Sequence, residues 1–115
     1  NLTFNEVTEE WGMYIPSFSN GSAYADLDND GDLDLVVNNI NDPAFVFKNE
    51  GKKTDKNNFI QVKLVGSELN PDAFGSSVQL HYQGQVQVAK MISGRGYLSQ
   101  SLNVAHFGLG AVNAI

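Results

Sequence analysis

An acidic run between residues 25 and 35 has the composition of a cation-binding loop. It reads ADLDNDGDLDL and places five carboxylates in nine consecutive positions, without a Lys or Arg among them. Like charges about 4 Å apart repel by roughly 4 kcal/mol at an effective dielectric constant of about 20. A bound dication reverses the sign of each of these terms. The run therefore predicts a metal site made of Asp26, Asp28, Asp30, Asp32 and Asp34.

The alternating spacing determines which atoms can face one ion. Side-chain ligands are predicted at positions 1, 3, 5 and 9 of D-x-D-x-D-G-x-x-D, which are Asp26, Asp28, Asp30 and Asp34. Asp32 at position 7 is predicted to bind through its backbone carbonyl, and Gly31 allows the chain to reverse direction. With water, the shell reaches about six or seven oxygens, which suits Ca²⁺ better than the strict octahedron of Mg²⁺. Zn²⁺ would require His or Cys.

Other interpretations apply to the same residues. An EF-hand is excluded because position 12 is Val37, where that loop needs a bidentate Glu, and because LDLVVN continues as a strand. A solvated acidic turn, in which Asp and Asn bond to their own backbone, is the plainer alternative. A catalytic ion is disfavoured, since protein atoms fill the ligand positions and leave little room to activate a water. The run favours a structural ion.

The composition excludes several classes of function. The chain has 115 residues and a formal net charge of −6, with six Lys and one Arg scattered along it. No basic face is available for phosphates, so nucleic acid is not expected as a partner. The sequence contains no apolar run of about 18 residues, and so no membrane span is expected. Without Cys or a G-x-S-x-G motif, thiolate and acyl-transfer chemistry have no support, and the chain is not expected to be an enzyme.

Strand patterns surround the acidic run and continue through the chain. Apolar residues at every second position predict strands at 22–26, 33–38, 44–48, 60–64, 78–82 and 86–88, and one or two more within 97–107. An opening strand is predicted over 2–8. Gln83-Gly84 separates two of these segments and predicts a hairpin turn. Helical periodicity is nearly absent, so the predicted fold class is all-β.

A polar stretch divides these strands into two groups. Residues 49–58 read NEGKKTDKNN and contain no apolar side chain, which is typical of an exposed connection. Domains are therefore predicted at 1–51 and 59–115, with a linker over 52–58. D-x-D-x-D-G occurs once, and the chain begins at Asn1 and not at Met. We expect a piece of a longer protein in which further units precede the first group.

Two aromatic groups outside the acidic run are candidates for ligand binding. Trp11, Tyr14 and Phe18 stand close together in the sequence and could stack on a sugar, although strand packing would explain them as well. Arg95 stands between two glycines beside Tyr97 and could contact a carboxylate or a sugar. A tight turn with an exposed Arg is the alternative. The second site prediction is ligand binding by Trp11, Tyr14, Arg95 and Tyr97.

Two segments resemble known families. The first segment resembles an FG-GAP or VCBS repeat, the calcium-bearing blade of integrin-α-like β-propellers. It consists of GSAYADLDNDGDLDLVVNN, with NEVTEEWGM before it and FVFKNEG after it. The second segment resembles the ASPIC/UnbV domain of the cartilage acidic protein family and its bacterial relatives. The resemblance lies in NFIQVKLVG, FGSSVQLHYQG, SGRGYLSQS and HFGLG. The resemblance implies one propeller-blade-like antiparallel β unit with a calcium loop, followed by a small antiparallel β-sandwich or barrel-like domain. It also implies that the aspartates hold Ca²⁺ and that the second domain is truncated at its C-terminus.

The resemblance and the acidic run together imply a function without catalysis. We expect a calcium-stabilised binding or adhesion module of a larger exported protein, located extracellularly, at the cell surface or in the periplasm. The expected partners are upstream propeller blades of the parent chain and a protein or glycan at the cell surface. Two alternatives remain. One is a surface glycan-binding module that uses the aromatic candidates, and the other is the accessory C-terminal end of an exported enzyme.

Overall fold

The residues that the structure describes include seven β-strands and no helix. A computed structural model describes residues 3–51 and 57–112. The strands are β1 (Ser19–Ala25), β2 (Asp34–Asn39), β3 (Phe45–Phe47), β4 (Asn58–Val62), β5 (Ser77–Tyr82), β6 (Gln85–Lys90) and β7 (Ala105–Gly110). Every strand pair is antiparallel, which confirms the predicted all-β class. In these ranges no helix is long and apolar enough to cross a membrane.

The first three strands form one sheet, and the acidic run lies between two of them. Their order is β1-β2-β3, and the run connects β1 to β2. Ala25 pairs with Asp34 across these two strands, so residues 26–33 form the connection. Leu35 pairs with Phe47, and both side chains are half-buried because paired residues of neighbouring strands share one face of the sheet. The sheet therefore presents the acidic loop at one end.

The last four strands form two two-stranded sheets that share a hydrophobic core. β4 pairs with β7, and β5 pairs with β6. The β5–β6 hairpin turns at Gln83 and Gly84, whose φ angles of 46° and 75° are both positive, as a tight hairpin turn requires. The predicted hairpin is confirmed. Both sheets contribute to the core, which contains Met91, Ala105 and Phe107 with the partly buried Val62, Leu64, Val78, Leu80 and Ala89 around them.

Two of the strand predictions need correction. Residues 3–8 form no strand, so the predicted opening strand is wrong there, and Leu2 lies outside the described residues. This segment leads into a local turn in which the Trp11 N–H donates to the Val7 carbonyl at 2.9 Å. Within 97–107 the described chain becomes a strand only at Ala105, where β7 begins. In residues 3–8 and 97–104 the backbone forms turns and irregular segments, and the pairing with a neighbouring strand that the apolar pattern indicated does not form.

The segment 95–101 holds the first sheet against the second half of the chain. Ser99 Oγ accepts the N–H of Ser22 at 3.0 Å, and Ser101 Oγ accepts the N–H of Tyr24 at 3.3 Å. The two hydroxyls satisfy backbone groups on the outer edge of β1, which would otherwise face solvent or another chain. The domain boundaries and the propeller blade stay predictions. Residues 52–56 of the predicted linker and 113–115 of the predicted second domain lie outside the described residues.

Candidate metal centre

The acidic loop reverses direction through two residues with left-handed backbone. β1 ends at Ala25 and β2 begins at Asp34. Between them Asn29 has a φ of 60° and Gly31 a φ of 95°, a region that glycine enters most readily because it has no Cβ. Gly31 is buried, and the Phe59 ring occupies the space that a Cβ on Gly31 would fill. Gly31 therefore has the left-handed backbone that the sequence predicts. The sequence did not predict its contact with Phe59.

Three carboxylates converge in this loop. Asp26, Asp28 and Asp30 each offer one oxygen, and these oxygens lie within 4.8 Å of one another. Asp28 and Asp30 are exposed, and Asp26 is half-buried. The Asp30 N–H donates to Asp28 Oδ1 at 3.3 Å and the Asp32 N–H donates to Asp30 Oδ1 at 3.0 Å, which keeps the loop in shape. Three of the five predicted ligands are thereby brought together.

Asp26 has one oxygen that the protein satisfies and one that it does not. Oδ2 accepts the N–H of Gly31 at 3.2 Å and the side-chain amide of Gln61 at 3.1 Å. Oδ1 is buried and has no hydrogen-bond partner among the described residues. A buried oxygen without a partner costs about 1–3 kcal/mol, and more in a charged group. A cation beside Oδ1 would remove this cost, and because oxygen donors suit a hard dication, the residues present fit such an ion.

Asp28 has a cationic partner in Lys48. The ammonium nitrogen lies 2.5 Å from Asp28 Oδ2. The hydrogen bond from Lys48 lowers the pKa of Asp28, and the same bond raises the pKa of Lys48. Asp28 therefore stays ionised at lower pH than an isolated aspartate does. Both side chains are exposed, so the pair adds little stability.

Asp34 and Asp32 do not converge with the other three carboxylates and contact other parts of the chain. Asp34 is 3% exposed, and its two oxygens accept the backbone N–H groups of Leu27 at 3.1 Å and Asn49 at 2.8 Å. These bonds tie the loop to the chain that leaves β3. The Asp32 side chain is half-buried against Gly51. Neither carboxylate belongs to the group of three, and the Asp34 side chain and the Asp32 carbonyl stay predicted ligands.

Two residues of β4 contact the loop, and the sequence did not identify either of them as a site residue. Phe59 lies over Gly31. Gln61 donates to Asp26, which is 35 positions away in the chain. An aromatic residue and a glutamine at alternate positions of a strand are common, so no local signal marks them. Only the way in which the two halves of the chain pack together brings them to the site.

The aromatic and arginine candidates lie in different environments. Trp11 is 66% exposed and lines a cleft of about 780 Å³ beside the first sheet. Tyr14 is also exposed. The Arg95 guanidinium lies over the Tyr24 ring, 5.6 Å from its centroid, whereas Tyr97 is 78% exposed. Arg95 thus contacts another part of the protein, and ligand binding by the four candidates stays a prediction.

Comparisons with known proteins match a domain family and a longer relative. Residues 66–115 match the family described as ASPIC and UnbV. The chain is also similar to cartilage acidic protein 1 of Xenopus tropicalis, with 37% identity over 94 residues that cover 78% of this chain. This coverage exceeds the matched segment, so the similarity extends to residues before 66. No solved structure matches the chain.

The relative is much longer than this chain. The alignment covers 14% of its length, so this chain corresponds to a small part of the relative. The resemblance of the first half to an FG-GAP or VCBS repeat stays a prediction. The family match and the similarity to cartilage acidic protein 1 together support an ASPIC and UnbV domain over residues 66–115 and a distant relationship of the chain to the cartilage acidic protein.

Proposed function

We propose that the acidic loop binds one Ca²⁺ ion and that this ion stabilises a non-catalytic module of an extracellular protein. One observation carries the proposal. Three carboxylate oxygens converge within 4.8 Å, and Asp26 in this group also has a buried oxygen without a hydrogen-bond partner among the described residues. Without an ion, the converging charges and the unpartnered oxygen both oppose the observed loop. With an ion, both become favourable interactions.

The donor set favours calcium over other cations. The three converging groups are all carboxylates, so Zn²⁺ and softer metals lack the nitrogen and sulfur ligands that they prefer. Asp28 and Asp30 are exposed, which leaves space for water in the shell. Ca²⁺ accepts such an irregular mixture of protein and water oxygens, whereas Mg²⁺ requires a near-ideal octahedron. Calcium therefore suits this loop best.

A structural role follows from what the loop residues contact. The converging side chains also accept backbone N–H groups inside the loop, so loss of the ion would loosen the loop and the sheet next to it. The name of the relative refers to cartilage, which supports a location outside the cell. A binding or adhesion role beside further units of a longer protein is the corresponding proposal for the module.

Isothermal titration calorimetry tests the ion and its selectivity. We expect CaCl₂ to bind with a stoichiometry of one and a dissociation constant of about 10⁻⁴–10⁻³ M, the range of extracellular calcium modules. MgCl₂ should bind about tenfold more weakly, because the loop does not impose an octahedron. Asp72→Asn alters an exposed aspartate outside the loop and should titrate like the wild type. A preference for Mg²⁺, or no binding up to about 10 mM Ca²⁺, would contradict the proposal.

Glycan binding is a second candidate function, supported by the cleft beside Trp11. The cleft measures about 780 Å³, and Glu10, Lys48 and Asn49 line it together with the exposed indole. A sugar ring could stack on the indole while its hydroxyls bond to the polar groups. The cleft thus combines one aromatic face with several hydrogen-bonding groups, as a sugar site requires.

A glycan array tests this second function. Trp11→Ala is expected to lower the signal of any glycan that the wild type binds by about two- to tenfold, since one aromatic contact contributes roughly 0.5–1.5 kcal/mol. Phe18→Ala is the control, because Phe18 is an exposed aromatic residue that does not line the cleft. Equal losses for the two variants, or an array without hits, would count against glycan binding at Trp11.

A further inference from the structure

One face of β4 lies against the acidic loop. Residues at every second position of a strand point to the same side, and Phe59 and Gln61 form such a pair, whereas Val62 packs on the hydrophobic core. Phe59 covers the buried Gly31. Gln61 Nε2 lies 3.1 Å from Oδ2 of Asp26. The loop is therefore held between the first sheet, from which it emerges, and a strand of the second half of the chain.

His106 of β7 supports both of these side chains. It pairs with Gln61 across the β4–β7 ladder, and its Nδ1 lies 3.5 Å from Gln61 Nε2. Its ring stacks on Phe59, with the ring centroids 5.5 Å apart and the planes 9° from parallel. The Gln61 amide thus lies between a carboxylate and an imidazole ring at an exposed position. The surface that β4 offers to the loop is thus preformed by the β4–β7 sheet.

We propose that Gln61 is a positioning residue of the cation site and that cation binding is coupled to docking of β4 on the acidic loop. This inference rests on the proposed function. Gln61 and the Gly31 N–H both donate to Oδ2 of Asp26, and the other oxygen, Oδ1, is the buried one without a partner among the described residues. Donors behind a ligand orient it and strengthen metal binding. Gln61 therefore selects which Asp26 oxygen is available to the ion.

The coupling acts in both directions. When β4 is docked, Asp26 is already oriented, so the ion meets a preorganised ligand. When the ion is absent, Oδ1 stays buried in the docked arrangement without a partner among the described residues, and this cost opposes that arrangement. Because linkage is reciprocal, docking raises the affinity for the ion by the same factor by which the ion favours docking. The ion then joins the two halves of the chain as well as the two ends of its own loop.

NMR spectroscopy of the ¹⁵N-labelled chain during a CaCl₂ titration tests the coupling. The side-chain amide signals of Gln61 are expected to shift with the same midpoint as the backbone amides of Asp28 and Asp30. Gln79 lies on β5 in the other two-stranded sheet, and its side-chain amide should not shift. If the loop amides shift and Gln61 does not, the coupling is overturned and the proposed function stands. If the loop amides do not shift at all, both fail.

Substitutions separate positioning from packing. Gln61→Ala and Gln61→Met are both expected to weaken Ca²⁺ binding about 10- to 100-fold, because neither side chain can donate to Asp26. Met keeps the length and apolar contacts of glutamine, so a purely packing role would leave Gln61→Met close to the wild type. Gln79→Ala is the matched control and should keep the wild-type affinity. Wild-type affinity in Gln61→Met, or in both variants, would overturn the positioning role.

Discussion

Calcium at about 100 times its dissociation constant is expected to raise the free energy of unfolding of the wild type by about 2.7 kcal/mol, and Asp30→Ala is expected to abolish this rise. In a chain of this size the rise corresponds to an increase in melting temperature on the order of 10 °C. Asp30 contributes one of the three converging oxygens. Its carboxylate also accepts the backbone N–H of Asp32, and this bond is exposed. Water can replace the lost acceptor, so the fold should tolerate the substitution itself.

The same variant should behave differently in a chelator. In EGTA the wild type keeps the repulsion among three converging carboxylates, and Asp30→Ala loses part of it. The variant should therefore melt at or slightly above the wild-type temperature in EGTA and below it in CaCl₂. Differential scanning calorimetry in the two buffers measures both differences. Asp72→Ala, at an exposed site outside the loop, should respond to calcium like the wild type. A wild-type melting temperature that is equal in both buffers would contradict a stabilising ion.

Asp34→Ala is expected to lower the free energy of unfolding by roughly 2–4 kcal/mol with or without calcium. Asp34 is 3% exposed, and its oxygens accept the N–H groups of Leu27 and Asn49. Alanine removes the carboxylate that accepts both part-buried bonds, and a hydrogen bond to a charged group contributes about 1.5–3 kcal/mol. Since a small domain is stable by about 5–15 kcal/mol in total, the loss is a large fraction of the stability.

Urea denaturation in EGTA and in CaCl₂ measures this loss. Asp34→Asn keeps the shape and one acceptor oxygen, so its stability should lie between those of the wild type and Asp34→Ala. Asp42→Ala alters an exposed aspartate between β2 and β3 and should stay within about 0.5 kcal/mol of the wild type. Equal losses in the two buffers would identify Asp34 as a backbone acceptor. A loss seen only with calcium would contradict that role and would make Asp34 a ligand, as its spacing predicts.

The two halves of the chain are stabilised in different ways. Among the described residues the buried hydrophobic side chains all belong to the second half, and they are Met91, Ala105, Phe107 and Leu109. In the first half the buried polar residues are Asp34 and Asn39. Burial of apolar surface is the dominant favourable term in folding, so the first sheet has the smaller stability of its own. The stability of the first sheet therefore depends more strongly on the contacts of its loop with β4, on the contacts of β1 with residues 95–101 and on the proposed ion.

The features that could be predicted from the sequence are those whose determinants are neighbours along the chain. The alternating aspartates around Gly31 predicted a reversing loop between two strands, and the run lies between β1 and β2 with Gly31 at a positive φ. Gln83-Gly84 predicted the β5–β6 hairpin because a tight turn depends on the residues within it. Alternation with a period of two predicted the all-β class because it is the period of a strand. It also predicted an opening strand over 2–8, which does not form in residues 3–8 because a pattern does not supply a partner strand.

Contacts between distant residues were decided only by the tertiary structure. Asp34 has the spacing of a ligand, yet its burial against the N–H groups of Leu27 and Asn49 depends on the path of the chain after β3. Gln61 lies 35 positions from Asp26, and its place in a strand resembles that of any exposed glutamine. The spacing of carboxylates determines which of them can reach a common ion. The other partners of each carboxylate depend on how the two halves pack together, and no local pattern encodes that packing.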